Sequence, residues 1–190
     1  MRTPFTARSE LEEDGSNLTN IILKILSDKE KKRKFVNLLN YILPYIDGVN
    51  VQKTADKLNL LLRERYTAKS ELPAFLISDG TMNVLNLIVA LFFENKAVCL
   101  IEEPEKSIHP HLIANLVEMM KDASSQKQII VTTHNPEIVK HAGLEHLLLV
   151  SRDQDGFSVI TRPANKKEVQ IFLQNEIGLD ELYVQNLLEF

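Results

Sequence analysis

The residues best equipped for chemistry are Glu102 and Glu103, which close the apolar run Ala97-Val98-Cys99-Leu100-Ile101 and precede Pro104-Glu105. A continuous apolar run of this length reads as a buried parallel strand. It delivers both carboxylates to its C-terminal end, where open α/β sheets place their ligands. Two neighbouring acids there suit Mg²⁺ and a nucleotide phosphate, one acid assisting the metal and the other activating water. Upstream, Ser78-Asp79-Gly80-Thr81 opens an apolar helix running from about Thr81 to Glu94. A hydroxyl, a glycine that permits close approach and the free amides of a helix N-terminus favour an anion. Downstream, a second apolar strand from Gln128 to Thr133 leads into His134-Asn135-Pro136. Taken singly, the three segments also read as an N-capped core helix, a solvated strand end and a structural histidine. Taken in this order and spacing, they point to an ATPase half-site.

The elements that must position these residues follow from periodicity. Residues 1–16 are polar and read as a loop or arm, after which Asn17 caps a helix over 18–27 with Leu18, Ile21, Ile22 and Ile25 on one face. A second amphipathic helix carries Phe35, Leu38, Leu39, Ile42 and Leu43, and Pro44 ends it or kinks its last turn. The segments Val49–Thr54 and Lys57–Tyr66 flank Ala55-Asp56 as a hairpin, and Pro73 to Ile77 leads into the Ser-Asp-Gly-Thr turn. His109-Pro110-His111 begins an amphipathic helix with Leu112, Leu116, Val117, Met119 and Met120, and Asn135 caps a short helix to about His141. A hairpin around Asp155-Gly156 and two short helices near 166–176 and 180–188 finish the chain.

With 190 residues, 44% of them hydrophobic, the chain has room for a core as one domain or one large lobe. A net charge of −4 argues against a surface dominated by nucleic-acid binding. The one dense basic run, Lys29 to Lys34, reads as a solvated helix start interrupted by Glu30, with contact to nucleic-acid phosphates as the alternative. The single cysteine, Cys99, reads as a small buried hydrophobe, which implies a reducing compartment. The N-terminus lacks the apolar core of a signal peptide, and the longest apolar run, Leu87 to Phe93, is too short to span a bilayer. A soluble, cytoplasmic protein is expected. His109 and His111 read as helix-start residues, and His141 and His146 as surface or packing residues.

Together these residues resemble the ATPase domain of the ABC/SMC/RecF superfamily. Within it the chain is most similar to the stand-alone AAA-like, RecF-type ATPases related to OLD-family and anti-phage defence proteins. The likeness runs from Asp14-Gly15-Ser16-Asn17-Leu18 to Gly178-Leu179-Asp180-Glu181-Leu182. It implies an α/β fold: the C-terminal lobe of a P-loop NTPase, with a mainly parallel sheet flanked by helices, a helical signature subdomain and small β-hairpins. The resemblance divides the single partial domain 1–190 into a polar arm (1–16), helices and hairpin of the signature subdomain (17–77), and the motif-bearing remainder (78–190). It makes Ser78, Asp79, Gly80 and Thr81 the signature motif that reaches the γ-phosphate bound by an opposing subunit. Asp79 stands where transporters have glycine, so it is expected to cap the helix or face a cation. By the same likeness Glu102 closes the Walker B strand and assists Mg²⁺ through water, Glu103 is the general base, and His134 is the switch histidine that senses the γ-phosphate. Glu105 and Ser107 fall in the D-loop region of a homodimer interface.

The implied cofactors are ATP and Mg²⁺. The phosphate-binding pattern Gly-x-x-x-x-Gly-Lys-Ser/Thr does not occur among these residues: none of the six glycines is followed by lysine and a hydroxyl residue. A Walker A segment or a partner chain is therefore expected to complete the site, and the isolated chain is expected to be inactive. The rival expectation is a non-hydrolysing interaction module that binds a partner ATPase or a nuclease. A nucleic-acid partner is a weaker implication, and a membrane is not implied.

Overall fold

Alternation builds the first sheet. In β3 (Lys57–Glu64), Leu58, Leu60 and Leu62 recur at period two on one face, and all three are buried. β2 (Ile46–Thr54) pairs antiparallel along the length of β3. β1 (Arg2–Pro4) and β4 (Glu71–Pro73) share its other edge, opposite Lys57–Asn59 and Leu61–Arg63 respectively. The computed structural model describes residues 2–4, 10–54, 57–66, 70–174 and 177–188. The hairpin turn expected at Ala55-Asp56 lies outside them. Part of the N-terminal segment, expected as an arm, is thus an edge strand, because β3 offers Arg2–Pro4 an unpaired edge.

Two helices pack on this sheet, α1 (Leu18–Ser27) and α2 (Lys29–Ile42). The Asp28 side chain starts α2 by accepting from the Glu30 and Lys31 amides at 2.9 and 3.0 Å. Asn17 corrects an expectation. It occupies the N-cap position of α1 without a side-chain cap bond. Its Oδ1 instead accepts from the Glu12 amide at 2.9 Å, and its Nδ2 donates to the Glu10 carbonyl at 2.7 Å. Asn17 is buried, so its amide is used where it satisfies the most backbone, in the preceding loop.

Helix α3 (Asp79–Phe92) is the core of the region, with Val84, Leu85, Ile88 and Val89 wholly buried. It contacts α1, α2 and α4 (Ile113–Ser124). Phe35 of α2 meets Phe93 edge-on, centroids 5.8 Å apart. The C-terminal end of α3 is held by the Lys127 ammonium, which donates to the carbonyls of Ala90 and Glu94 at 3.2 and 2.8 Å, a favourable place for a cation.

β5 (Val98–Glu102) and β6 (Gln128–Thr132) pair in parallel, Val98 opposite Gln128 through Glu102 opposite Thr132. Parallel pairing among the described residues is confined to these two strands. They differ from the expected buried strand: Val98 is 52% exposed, Leu100 65% and Ile130 44%. α4 packs on β6, and Cys99, Ile101, Ile129 and Val131 are half-buried, while among the described residues of the first unit the opposite face is bare. Cys99 is accordingly half-buried rather than buried, and burial pushes its thiol pKa up against the opposing charge of Lys127.

The chain divides into two compact units, Met1–Thr132 and Thr133–Phe190, a division inside the stretch 78–190 that the sequence treats as one block. In the second unit α5 (Pro136–Ala142) starts from Asn135, whose Oδ1 accepts from the Glu137 amide at 2.9 Å. β7 (Leu149–Arg152) and β8 (Ser158–Thr161) form an antiparallel hairpin turning at Gly156, φ +86°. Helices α6 (Lys167–Gln174) and α7 (Leu179–Val184) complete a small core of Val169, Leu182 and Leu188. No helix among the described residues is long and apolar enough to cross a membrane.

Candidate functional site

At the start of α3, the Ser78 hydroxyl accepts from the Thr81 amide at 3.2 Å, which makes serine the N-cap. Asp79, expected to cap the helix or face a cation, is the first helical residue and is exposed; the cap is Ser78. An acid in the first turn still complements the positive end of the helix dipole. Thr81 is buried, with its hydroxyl 3.0 Å from Ser78 Oγ and 3.2 Å from the phenol oxygen of Tyr45. The three hydroxyls therefore form a chain that orients the mouth of the helix. Tyr45 has no local sequence signal for this role, because it lies just past α2 and meets Thr81 only through packing.

The acids sit at the end of β5. Period two puts Glu102 on the same face as Val98 and Leu100, so it closes the bare side of the sheet. Glu103 extends the ladder by one bond, its amide donating to the Thr132 carbonyl at 2.8 Å, and then turns the chain with φ +44°. A non-glycine residue in the left-handed region is uncommon and costs energy. The turn is closed by the Lys106 amide on the Glu103 carbonyl at 3.0 Å and by the Ile108 amide on the Glu105 carbonyl at 2.9 Å. Ser107 is also left-handed, φ +61°. Glu102, Glu103 and Ser107 are exposed, and Glu105 is half-buried.

The start of α3 and the loop after β5 meet. A Cβ on Gly80 would lie 2.1 Å from the Ser107 carbonyl oxygen and 2.9 Å from its carbon, so only glycine fits. One turn on, Asn83 Nδ2 donates to the carbonyls of Pro104 and Lys106 at 3.0 and 3.1 Å. Ser78–Thr81, Glu102, Glu103, Glu105 and Ser107 are thus gathered at one end of the first unit. The sequence reading missed Asn83, whose only signal is its place three residues after Gly80 on the same helix.

His134 belongs to the second unit, two residues past β6, and is exposed. Beside it the Thr133 hydroxyl accepts from the Asn135 amide at 2.9 Å, which shapes the entry to α5. His109 and His111 precede α4 with their Nδ1 atoms 2.6 Å apart, so one ring donates to the other. The basic run of α2 is exposed. Arg33 pairs with Glu30 at 3.1 Å, and the Lys34 ammonium lies 5.1 Å from the Phe92 ring centroid.

The donor set bears on metal binding. No group of three or more His, Cys, Asp or Glu among the described residues could hold an ion. What the site offers is hard, exposed carboxylate oxygen at a strand end. That set fits Mg²⁺, which keeps its waters and takes one or two carboxylates plus substrate phosphates.

A family model described as "AAA domain, putative AbiEii toxin, Type IV TA system" matches residues 9–140. The Septu protein PtuA of Bacillus thuringiensis is 28% identical over 105 residues, covering 50% of this chain and 26% of that protein. The uncharacterized protein MJECL43 of Methanocaldococcus jannaschii is 27% identical over 96 residues, covering 49% of this chain and 25% of that protein. The matches thus span about a quarter of the length of these relatives. Among solved structures, one from work on ATP-driven dimerization and DNA-stimulated activation of SMC ATPases aligns with a TM-score of 0.60 at 15% identity, over 84% of this chain and 98% of that one. A Smc head domain from Pyrococcus furiosus, bound to the C-terminal domain of ScpA, aligns at 0.56 with 18% identity, over 87% of this chain and 45% of that one. At these identities the structures establish the fold alone: a mixed α/β lobe similar to that of the SMC heads.

Proposed function

The chain belongs to this AAA-domain family, and on that premise we propose that it is the signature and Walker B lobe of a RecF/ABC-like ATPase. In this reading the lobe works as a head-to-tail homodimer once a Walker A segment, in the same polypeptide or another, completes each site. The observation that carries the proposal is the meeting of the α3 N-terminus with the loop that follows Glu102 and Glu103, through Gly80 and Asn83. A helix mouth suited to an anion and two strand-end acids therefore share one end of the unit. The bare apolar face of β5 and β6 gives further support, because Glu102 stands at its edge and a parallel sheet requires cover on both faces.

Each residue then has a task. Glu103 accepts the proton of the attacking water, and Glu102 holds a water of the metal shell. Mg²⁺, when bound, neutralises charge on the phosphate oxygens. Ser78, Gly80 and Thr81 present the signature helix to the γ-phosphate of the opposing subunit, with Asp79 at its rim. Glu105 and Ser107 line the interface, and His134 donates to the γ-phosphate and reports its presence. The relative studied for ATP-driven dimerization supports a nucleotide-dependent dimer, and the ScpA-bound Smc head supports a protein partner for such a lobe. A nucleic-acid or nuclease partner and a cytoplasmic setting accord with the same reading.

The test is Glu103→Gln in the form of the protein that carries a Walker A segment. ATP binding should persist while turnover falls by about 10²-fold or more, the usual size of a lost general base. Unchanged turnover would remove Glu103 from its role. Absence of hydrolysis by the unsubstituted protein in any completed form would leave the interaction module as the function.

A further inference from the structure

We infer that Asn83 is a positioning residue that holds the loop after β5 in its left-handed shape and so couples the mouth of α3 to Glu103; its consequence for turnover rests on the ATPase reading above. The loop contains two non-glycine residues at positive φ, Glu103 and Ser107, within five positions. Such backbone persists only where its surroundings over-determine it. Two internal amide bonds close the turn, but both lie within the loop and move with it. The ties to the rest of the unit come from elsewhere. The strand bond at Glu103 holds one end. Asn83 holds the middle, with one amide nitrogen donating to the carbonyls of Pro104 and Lys106.

The chemistry suits asparagine. Both partners are acceptors, so the side chain must present its NH₂, and that group has two hydrogens to spend. Aspartate has the same shape and would set a carboxylate against two carbonyl oxygens. Gly80 completes the arrangement by letting the helix approach the Ser107 carbonyl to a distance no other residue allows. Because α3 is buried among its neighbours and anchored at its far end by Lys127, it is the stationary part and the loop is the part held. The Glu103 turn is therefore held against the start of α3 as well as against β6.

Amide hydrogen exchange on the chain as it stands tests the clamp without any nucleotide. Asn83→Ala should speed exchange of the Lys106 and Ile108 amides by about tenfold, the size expected for losing hydrogen bonds that hold a local segment. Asn83→Asp should speed it further, while the amides of Val84 to Leu91 keep their protection. Asn83→Ala is the milder variant and decides the matter if Asn83→Asp does not fold. Exchange within twofold of the unsubstituted chain, or acceleration spread evenly over α1 and α3, would overturn the clamp. In the Walker A-completed protein, Asn83→Ala should lower kcat with KM unchanged. A raised KM with kcat intact would overturn the coupling to Glu103. If the completed protein hydrolyses no ATP, the ATPase reading fails while the exchange result still decides the clamp.

Discussion

Two strands of the first unit are both rich in apolar residues and meet opposite fates. In β3, Leu58, Leu60 and Leu62 are sealed beneath α1 and its neighbours, with Leu60 at 1% exposure. In β5, Val98 and Leu100 stand in the open, Leu100 at 65%. The difference lies in what each sheet must bury. β3 carries its leucines mainly on one face, and an antiparallel sheet can leave its other face to water. β5 and β6 are apolar on both faces, Cys99 and Ile101 on one side and Val98 and Leu100 on the other, yet the first unit covers only the former. Apolar content thus names a strand that needs cover without saying whether these 190 residues provide it.

The comparison can be broken by paired truncation. Leu60→Ala should cost about 2–5 kcal/mol, as for a buried leucine that leaves a cavity, whereas Leu100→Ala should stay within about 0.5 kcal/mol. Urea unfolding of both variants decides it; equal losses would mean that the β5 face is covered in solution. A smaller effect is expected at the helix mouth. Ser78→Ala removes the N-cap of α3 and should lower stability by about 1 kcal/mol, read from the same midpoint.

The smallest effect concerns the loop that anchors the N-terminal side of the unit. Lys96, which bonds Glu10 at 2.8 Å, holds its carboxyl below the ordinary 4.5 through that hydrogen bond and then through its charge. The folded value is the lower one, so the stabilisation is present above 4.5 and is lost as pH falls through the folded value. The exposed pair is screened by solvent. The gap between the unsubstituted chain and Glu10→Gln should therefore be slight at pH 7 and vanish in acid. A gap that widens on acidification would reverse the sign.

Much of the fold was legible because its signals are short-ranged. The helices over 18–27 and 136–142, the hairpin at Asp155-Gly156 and the helix opened by Ser78 follow from periodicity, caps and turn residues within a few positions. Asn17 was misread as a side-chain cap because the competing partners, the Glu10 carbonyl and the Glu12 amide, come from a loop without a pattern of its own. The pairing of Arg2–Pro4 with β3 was hidden because it joins residues more than fifty positions apart. Of the candidate site, the acids and the Ser78–Thr81 turn could be named from residue type and order. Tyr45 and Asn83 could not, since their partners are set by how α3 packs.

By itself the sequence determined which groups are available: Glu102 and Glu103 after an apolar run, a serine and a glycine at a helix start, and His134 after a second strand. Hydrophobic period and capping preference act over a single turn or strand, so these assignments need no fold. Tertiary structure decided which groups meet. Gly80 against the Ser107 carbonyl, Asn83 across Pro104 and Lys106, and the bare face ending in Glu102 all depend on where α3 lies relative to β5. That placement is set by the packing of the whole core, in which each contact is weak alone and the arrangement is selected only by their sum.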